Sequence, residues 1–96
     1  CPAAVCRPFP VEQRWVEGLE GHRFASYVDW IACTFALTLT GAPALAMPAG
    51  RTADGLPVGL QLVGPPRGEA VLLGAAARLE DEIGRLFDGV LDPRTP

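Results

Sequence analysis

Ninety-six residues suit a single domain, and 49% apolar with 20% charged residues describes a soluble, globular chain rather than a disordered one. A net charge of −3 excludes attraction to nucleic acid or an anionic membrane, and no apolar run approaches the roughly 18 residues of a membrane span. All eight basic residues are arginine; with no lysine, no asparagine, one serine and one histidine, the chain lacks a P-loop lysine, a Schiff-base lysine and a Ser-Lys pair.

In chain order, residues 1–13 carry three prolines between short apolar stretches, which predicts a short edge strand passing into an extended loop. Residues 14–23 mix charge with two glycines and read as a loop, with His22 on its surface. Trp15 and Trp30 are expected in a core or an interface. Cys1, Cys6 and Cys33 are odd in number and show no C-x-x-C spacing. That predicts reduced thiols in a cytoplasmic protein, with Cys33 buried and no zinc site. The chain opens on Cys1 with neither Met nor a signal-peptide pattern, so a piece of a longer polypeptide is expected.

Phe24, Tyr27, Val28, Ile31, Phe35 and Leu39 recur at three- and four-residue steps and predict one amphipathic helix. Ser26 falls on its surface, Gly41 and Pro43 stop it, and threonines 34, 38 and 40 weaken its last turn. "ALAMPAG" then reads as an extended run, "RTADG" as a turn and "LPVGLQLVG" as a second extended run. Val58, Leu60 and Leu62 share one face of that strand and Gly59, Gln61 and Val63 the other; both faces are expected to be covered. Gln61 there is either a core amide bonded to backbone or to another subunit's edge, or a polar group on a pocket wall.

From Glu69, the stripe Leu72, Leu73, Ala76, Leu79, Ile83 and Leu86 predicts a C-terminal helix. Arg78–Glu82 and Asp81–Arg85 pair on its wet side, and Gly89 lies past its end. The tail 88–96 is expected to be loose. The whole is an α/β arrangement: a small mixed sheet with a β-hairpin-like strand pair and two main helices.

Glycines 41, 50, 55, 59 and 64 invite comparison with a phosphate cradle. They straddle a strand, however, and no helix begins until after Pro66, which is not the strand, G-x-G-x-x-G, helix order that a dinucleotide needs. "GPPRGEA" is the one glycine-bearing loop that opens a helix. It is an anion-binding turn or an ordinary connection. Nothing in the chain assembles a nucleophile, a base and an oxyanion hole.

The order of these motifs resembles the C-terminal segment of amidase signature enzymes. Thr40-Gly41-Ala42-Pro43-Ala44 is similar to the family's T-G-x-P-A, and Pro48-Ala49-Gly50 to its P-x-G. Gly55 to Gly64 matches G-x-P-x-G-x-Q followed by two hydrophobic residues and Gly, and a Glu-led helix follows. "CPAAVCRPFP" and "YVDWIACTFALTLTG" resemble the strand and helix ahead of the hairpin, so the likeness spans residues 1–87. Thr38 departs from the Asn that many relatives carry.

The resemblance implies that residues 1–96 are the C-terminal part of an amidase signature domain. The family cleaves carboxamide C–N bonds with a Ser nucleophile, a second Ser and a Lys base, none of which this chain supplies. It also implies room at Gly59 for the C-terminal helix, Trp30 and Thr34 on a substrate-pocket wall, no cofactor and no metal. The partners implied are a small-molecule amide for the parent enzyme and either self-association or packing on a missing N-terminal part. The alternative is a non-catalytic interaction module derived from the same fold.

Overall fold

The chain is punctuated by glycine and proline into short elements, and the computed structural model describes residues 1–84. β1 (Gly18–Leu19) and β2 (His22–Arg23) form a minute antiparallel hairpin inside the stretch expected to be a loop. Its two connecting residues, Glu20 and Gly21, have φ of 47° and 83°, the left-handed geometry that a two-residue hairpin turn demands.

The single helix expected from residue 24 is three pieces: α1 (Tyr27–Trp30), α2 (Ala32–Phe35) and a 3-10 turn (Ala36–Thr40). Ser26 caps the first piece, accepting a hydrogen bond from the Asp29 N–H at 3.2 Å, while Asp29 accepts from the Ala25 N–H at 2.9 Å. At the far end the threonine hydroxyls compete for backbone groups. Thr40 Oγ1 donates to the Leu37 carbonyl at 2.6 Å and accepts from the Ala42 N–H at 3.1 Å. Gly41 (φ 68°) then closes the turn by donating to the Thr38 carbonyl.

β3 (Ala44–Arg51) and β4 (Pro57–Val63) form the expected strand pair, antiparallel and in register from Ala44↔Val63 to Pro48↔Gly59. The Gly64 N–H donates to the Pro43 carbonyl at 2.9 Å, so by alternation Leu45 and Met47 face β4 with their backbone groups. Ala44, Ala46 and Pro48 therefore turn theirs to the outer edge, where a proline's missing N–H costs no ladder bond. A bulge between Pro48 and Gly50 follows. All strand pairings among the described residues are antiparallel.

The opposite edge of β4 is occupied by the N-terminal segment. The Gln61 N–H donates to the Cys1 carbonyl at 2.7 Å, the Cys1 amine to the Gln61 carbonyl at 2.9 Å, and the Ala3 N–H to the Gly59 carbonyl at 3.3 Å. The expected edge strand is thus a single bridge, Pro2 to Leu60, because Pro2 and Pro8 bound so short an extended run.

α3 (Glu69–Gly84) lies across the hairpin, and among the described residues of its stripe only Leu72 and Ala76 are buried, at 7% and 8% exposure. Leu73 is largely exposed, since a two-stranded hairpin is narrower than the stripe that the sequence offers it. Gly64, rather than Gly59, makes room for this helix: a Cβ there would stand 3.2 Å from Leu72 Cβ. At Gly59 a Cβ would meet Ala3 Cβ at 3.1 Å, so that glycine admits the N-terminal segment instead. Both faces of β4 are only half covered. Leu86, Gly89, Arg85 of the Asp81–Arg85 pair and the tail 88–96 lie outside the described residues.

Leu72→Ala is expected to lower stability by about 2–5 kcal/mol, whereas Val71→Ala, at a site 66% exposed, stays within about 0.5 kcal/mol. Urea titrations followed by far-UV circular dichroism measure both. Equal midpoints for the two variants would show that α3 does not sit on the hairpin through Leu72.

Candidate functional site

Polar contacts converge where the N-terminal segment, α2 and β4 meet. Thr34 Oγ1 donates to the Ala3 carbonyl at 2.9 Å, and the Thr34 carbonyl accepts from Gln61 Nε2 at 3.5 Å. Gln61 is also bonded through its backbone to Cys1, so a few residues tie three elements together. This follows from β4's alternation, which aims Gln61 and Gly59 at the same neighbours. Gln61 Oε1 is buried with no hydrogen-bond partner among the described residues.

Trp30 stands at the end of α1, one turn before Thr34. Its indole meets Phe9 and Tyr27 edge-on, with centroids 5.5 and 5.4 Å apart, and Nε1 is buried without an acceptor among the described residues. The indole closes one side of an open cavity of about 510 Å³. Residues 2–9 and Pro57–Gly59 form the other walls. Trp30 therefore lines this cavity. Thr34 does not, but its hydroxyl fixes the segment that does.

Arg7 supplies the one charge among the lining residues. It reaches Asp54 at 3.5 Å across an exposed pair. The turn that presents Asp54 is held by Thr52, whose N–H donates to the Leu56 carbonyl at 2.8 Å and whose Oγ1 accepts from the Leu56 N–H at 3.0 Å. The Thr52 hydroxyl also donates to Asp54. That hydrogen bond, then Asp54's own backbone N–H and finally the Arg7 charge, hold the carboxyl below its ordinary pKa.

The remaining candidates stay apart from this cluster. His22 sits on the small hairpin, its ring against Phe24 at 5.0 Å, and Ser26 is a helix cap. "GPPRGEA" forms a tight turn, with the Gly68 N–H donating to the Pro65 carbonyl at 2.8 Å. No group of three or more His, Cys, Asp or Glu among the described residues could hold a metal ion. None of their helices is long and apolar enough to cross a membrane. The Thr34–Ala3 bond had no sequence signal, because the two residues lie far apart in the chain. The Ser26 cap did have one, the Ser-x-x-Asp spacing ahead of an apolar run.

Comparison with known proteins gives a consistent result. The family model described as Amidase matches residues 1–73. A glutamyl-tRNA(Gln) amidotransferase subunit from Wolinella succinogenes is 47% identical over 51 residues, which cover 53% of this chain and 11% of that protein. Its counterpart in Roseobacter denitrificans is 49% identical over 51 residues, covering 53% of this chain and 10% of that protein. A Mycobacterium tuberculosis protein that carries the name amidase AmiA2 is 49% identical over 47 residues, covering 49% and 10%. The matched stretch thus spans about a tenth of the length of these curated relatives. No solved structure matches significantly.

Two outcomes follow from the contacts. Thr34→Val leaves the Ala3 carbonyl without its donor and is expected to cost about 1 kcal/mol, read as a lower urea midpoint. An unchanged midpoint would show that this bond does not hold the segment. For Asp54, the folded pKa lies below the unfolded value of about 3.9, so its contribution is present above about pH 4 and lost as pH falls through the folded value. Wild type is therefore expected to exceed Asp54→Asn in stability at about pH 6 and to converge with it towards about pH 2. A gap that widens on acidification would have the wrong sign.

Proposed function

The chain belongs to the amidase family, and on that premise we propose that it is the C-terminal segment of a hydrolase that cleaves carboxamide C–N bonds. The observation that carries this reading is the ordered run from Thr40 to Gly64, folded as β3, a Thr52–Asp54 turn and β4 within the span that matches the family. Gly41, Gly55, Gly59 and Gly64 have structural tasks there, in turns and close approaches, which weighs against a phosphate cradle.

The reaction needs a serine nucleophile and a basic partner, and this chain has no lysine. Its one serine is engaged as a helix cap. We therefore place the nucleophile, the second serine and the lysine base outside these residues. There the serine Oγ attacks the amide carbon, the C–N bond breaks, and the nitrogen leaves with the proton relayed from the serine. Water then frees the carboxylate from the acyl-serine. This chain would supply sheet and pocket wall. Trp30 would present its ring to the substrate, and Thr34 would hold the N-terminal segment against it. No cofactor enters. Three unbridged cysteines fit a reducing, cytoplasmic setting.

A second reading, a stand-alone interaction module, is favoured by one feature: large apolar side chains such as Leu39 remain exposed, at 83%. One measurement tests the placement of the catalytic residues and a second separates the readings. The purified chain is expected to release no ammonia or amine from simple aliphatic and aryl amides, and hydrolysis by it alone would overturn the placement of the catalytic residues. Antibody detection in the native cells is expected to find a species several times heavier than this chain. A species of about 10.1 kDa would put the interaction module first.

A further inference from the structure

The cavity beside Trp30 combines an apolar wall with a single cation, and that cation is loosely engaged. Arg7 meets Asp54 at 3.5 Å through one nitrogen, with both side chains more than half exposed. The Asp54 carboxylate is held first by Thr52 and by its own backbone N–H; the Arg7 charge is the smallest of the influences lowering its pKa. A guanidinium carries five N–H donors in a planar fork that matches two carboxylate oxygens. Most of that capacity is unused by a single contact at this distance. The volume, about 510 Å³, lies in the range of small-ligand sites.

The other polar groups do not compete for the role. Trp30 Nε1 is closed off from solvent, and the Thr34 hydroxyl is already committed to Ala3. The ligand that this arrangement fits is anionic at one end and apolar over the rest.

We propose that the cavity binds a small monocarboxylate with a compact aryl or branched-alkyl body, its oxygens on Arg7 and its hydrocarbon against Phe9, Trp30 and Val58. Hydrolysis of a carboxamide, R–CO–NH2 + H2O → R–COO⁻ + NH4⁺, releases such an acid. The inference rests on the amidase reading for the source of the ligand alone. Asp54 is then a competitor for Arg7, and its exposed position at the turn lets the guanidinium exchange one carboxylate for another.

The test is a titration of the 96-residue chain with benzoate and, separately, with benzamide, followed by nitrogen–proton NMR of the Trp30 indole and the Arg7 side chain. Benzoate is expected to shift both signals in a saturable way and to bind at least about tenfold more tightly than benzamide. Arg7→Gln is expected to weaken benzoate by at least about tenfold, and Asp54→Asn to tighten it about twofold by removing the competing anion.

Arg7→Gln also removes the contact with Asp54 and could release the N-terminal segment. Val58→Glu, which adds a carboxylate at a half-exposed wall position without touching that contact, is therefore expected to abolish benzoate binding independently. Equal affinity for acid and amide, full binding by Arg7→Gln or Val58→Glu, or shifts confined to α3 would each overturn the proposal. Amide hydrolysis is assayed separately on the longer polypeptide. Its absence would sink the amidase reading and leave the benzoate result standing, while a failed titration would leave the amidase reading untouched.

Discussion

Both edges of β4 are in use, and the rest of the structure depends on that constraint. Strand geometry points backbone groups alternately to either side, so Leu60, Leu62 and Gly64 serve β3 while Gly59 and Gln61 serve the N-terminal segment. A β-sheet neighbour lies about 4.8 Å away, so any side chain that crowds the approach opens the ladder. Gly59 and Gly64 meet this demand on different sides of the strand. One admits Ala3 and the other admits Pro43 and Leu72. The pairing fixes the N-terminal segment, and the segment in turn forms most of the wall around Trp30.

What holds the segment is polar, in contrast to α3, which is held by apolar burial. Leu72 and Ala76 are the only buried apolar side chains among the described residues. Burying a Leu side chain fully is worth about 1.5–3 kcal/mol, so this packing is a small share of what an independent domain needs. The segment instead relies on backbone bonds to β4, the Thr34 hydroxyl and a surface pair at Asp54. Each is modest in water, and the set works because its members constrain the same few residues. The exposed apolar side chains fit the small share of the relatives' length that the matched stretch covers.

Part of the contact network around Gln61 was legible, residue by residue. Trp30 lines a cavity, and its expected place on a substrate-pocket wall belongs to the proposed function. Thr34 was expected beside it and lies one step removed, fixing the wall from behind. Gln61 was expected to bond backbone or to line a pocket; its Nε2 bonds the Thr34 carbonyl. The Arg7–Asp54 contact was not anticipated, since nothing in the spacing of the two residues links them.

Local chemistry set a good deal from the sequence alone. Asp54-Gly55 makes the hairpin turn, Gly41 ends the helical stretch, alternation assigns the faces of β4 and the i, i+4 pattern makes α3 a helix. These outcomes depend on backbone preferences within a few residues, so the order of residues suffices. It also carries the family, because the order of prolines and glycines from Thr40 to Gly64 is itself a record of that hairpin. Only the tertiary structure decided which glycine faces which neighbour, and that Thr34 and Gln61 close on the N-terminal segment. Those outcomes depend on contacts between residues far apart in the chain, and a contact of that kind leaves no periodicity in the sequence.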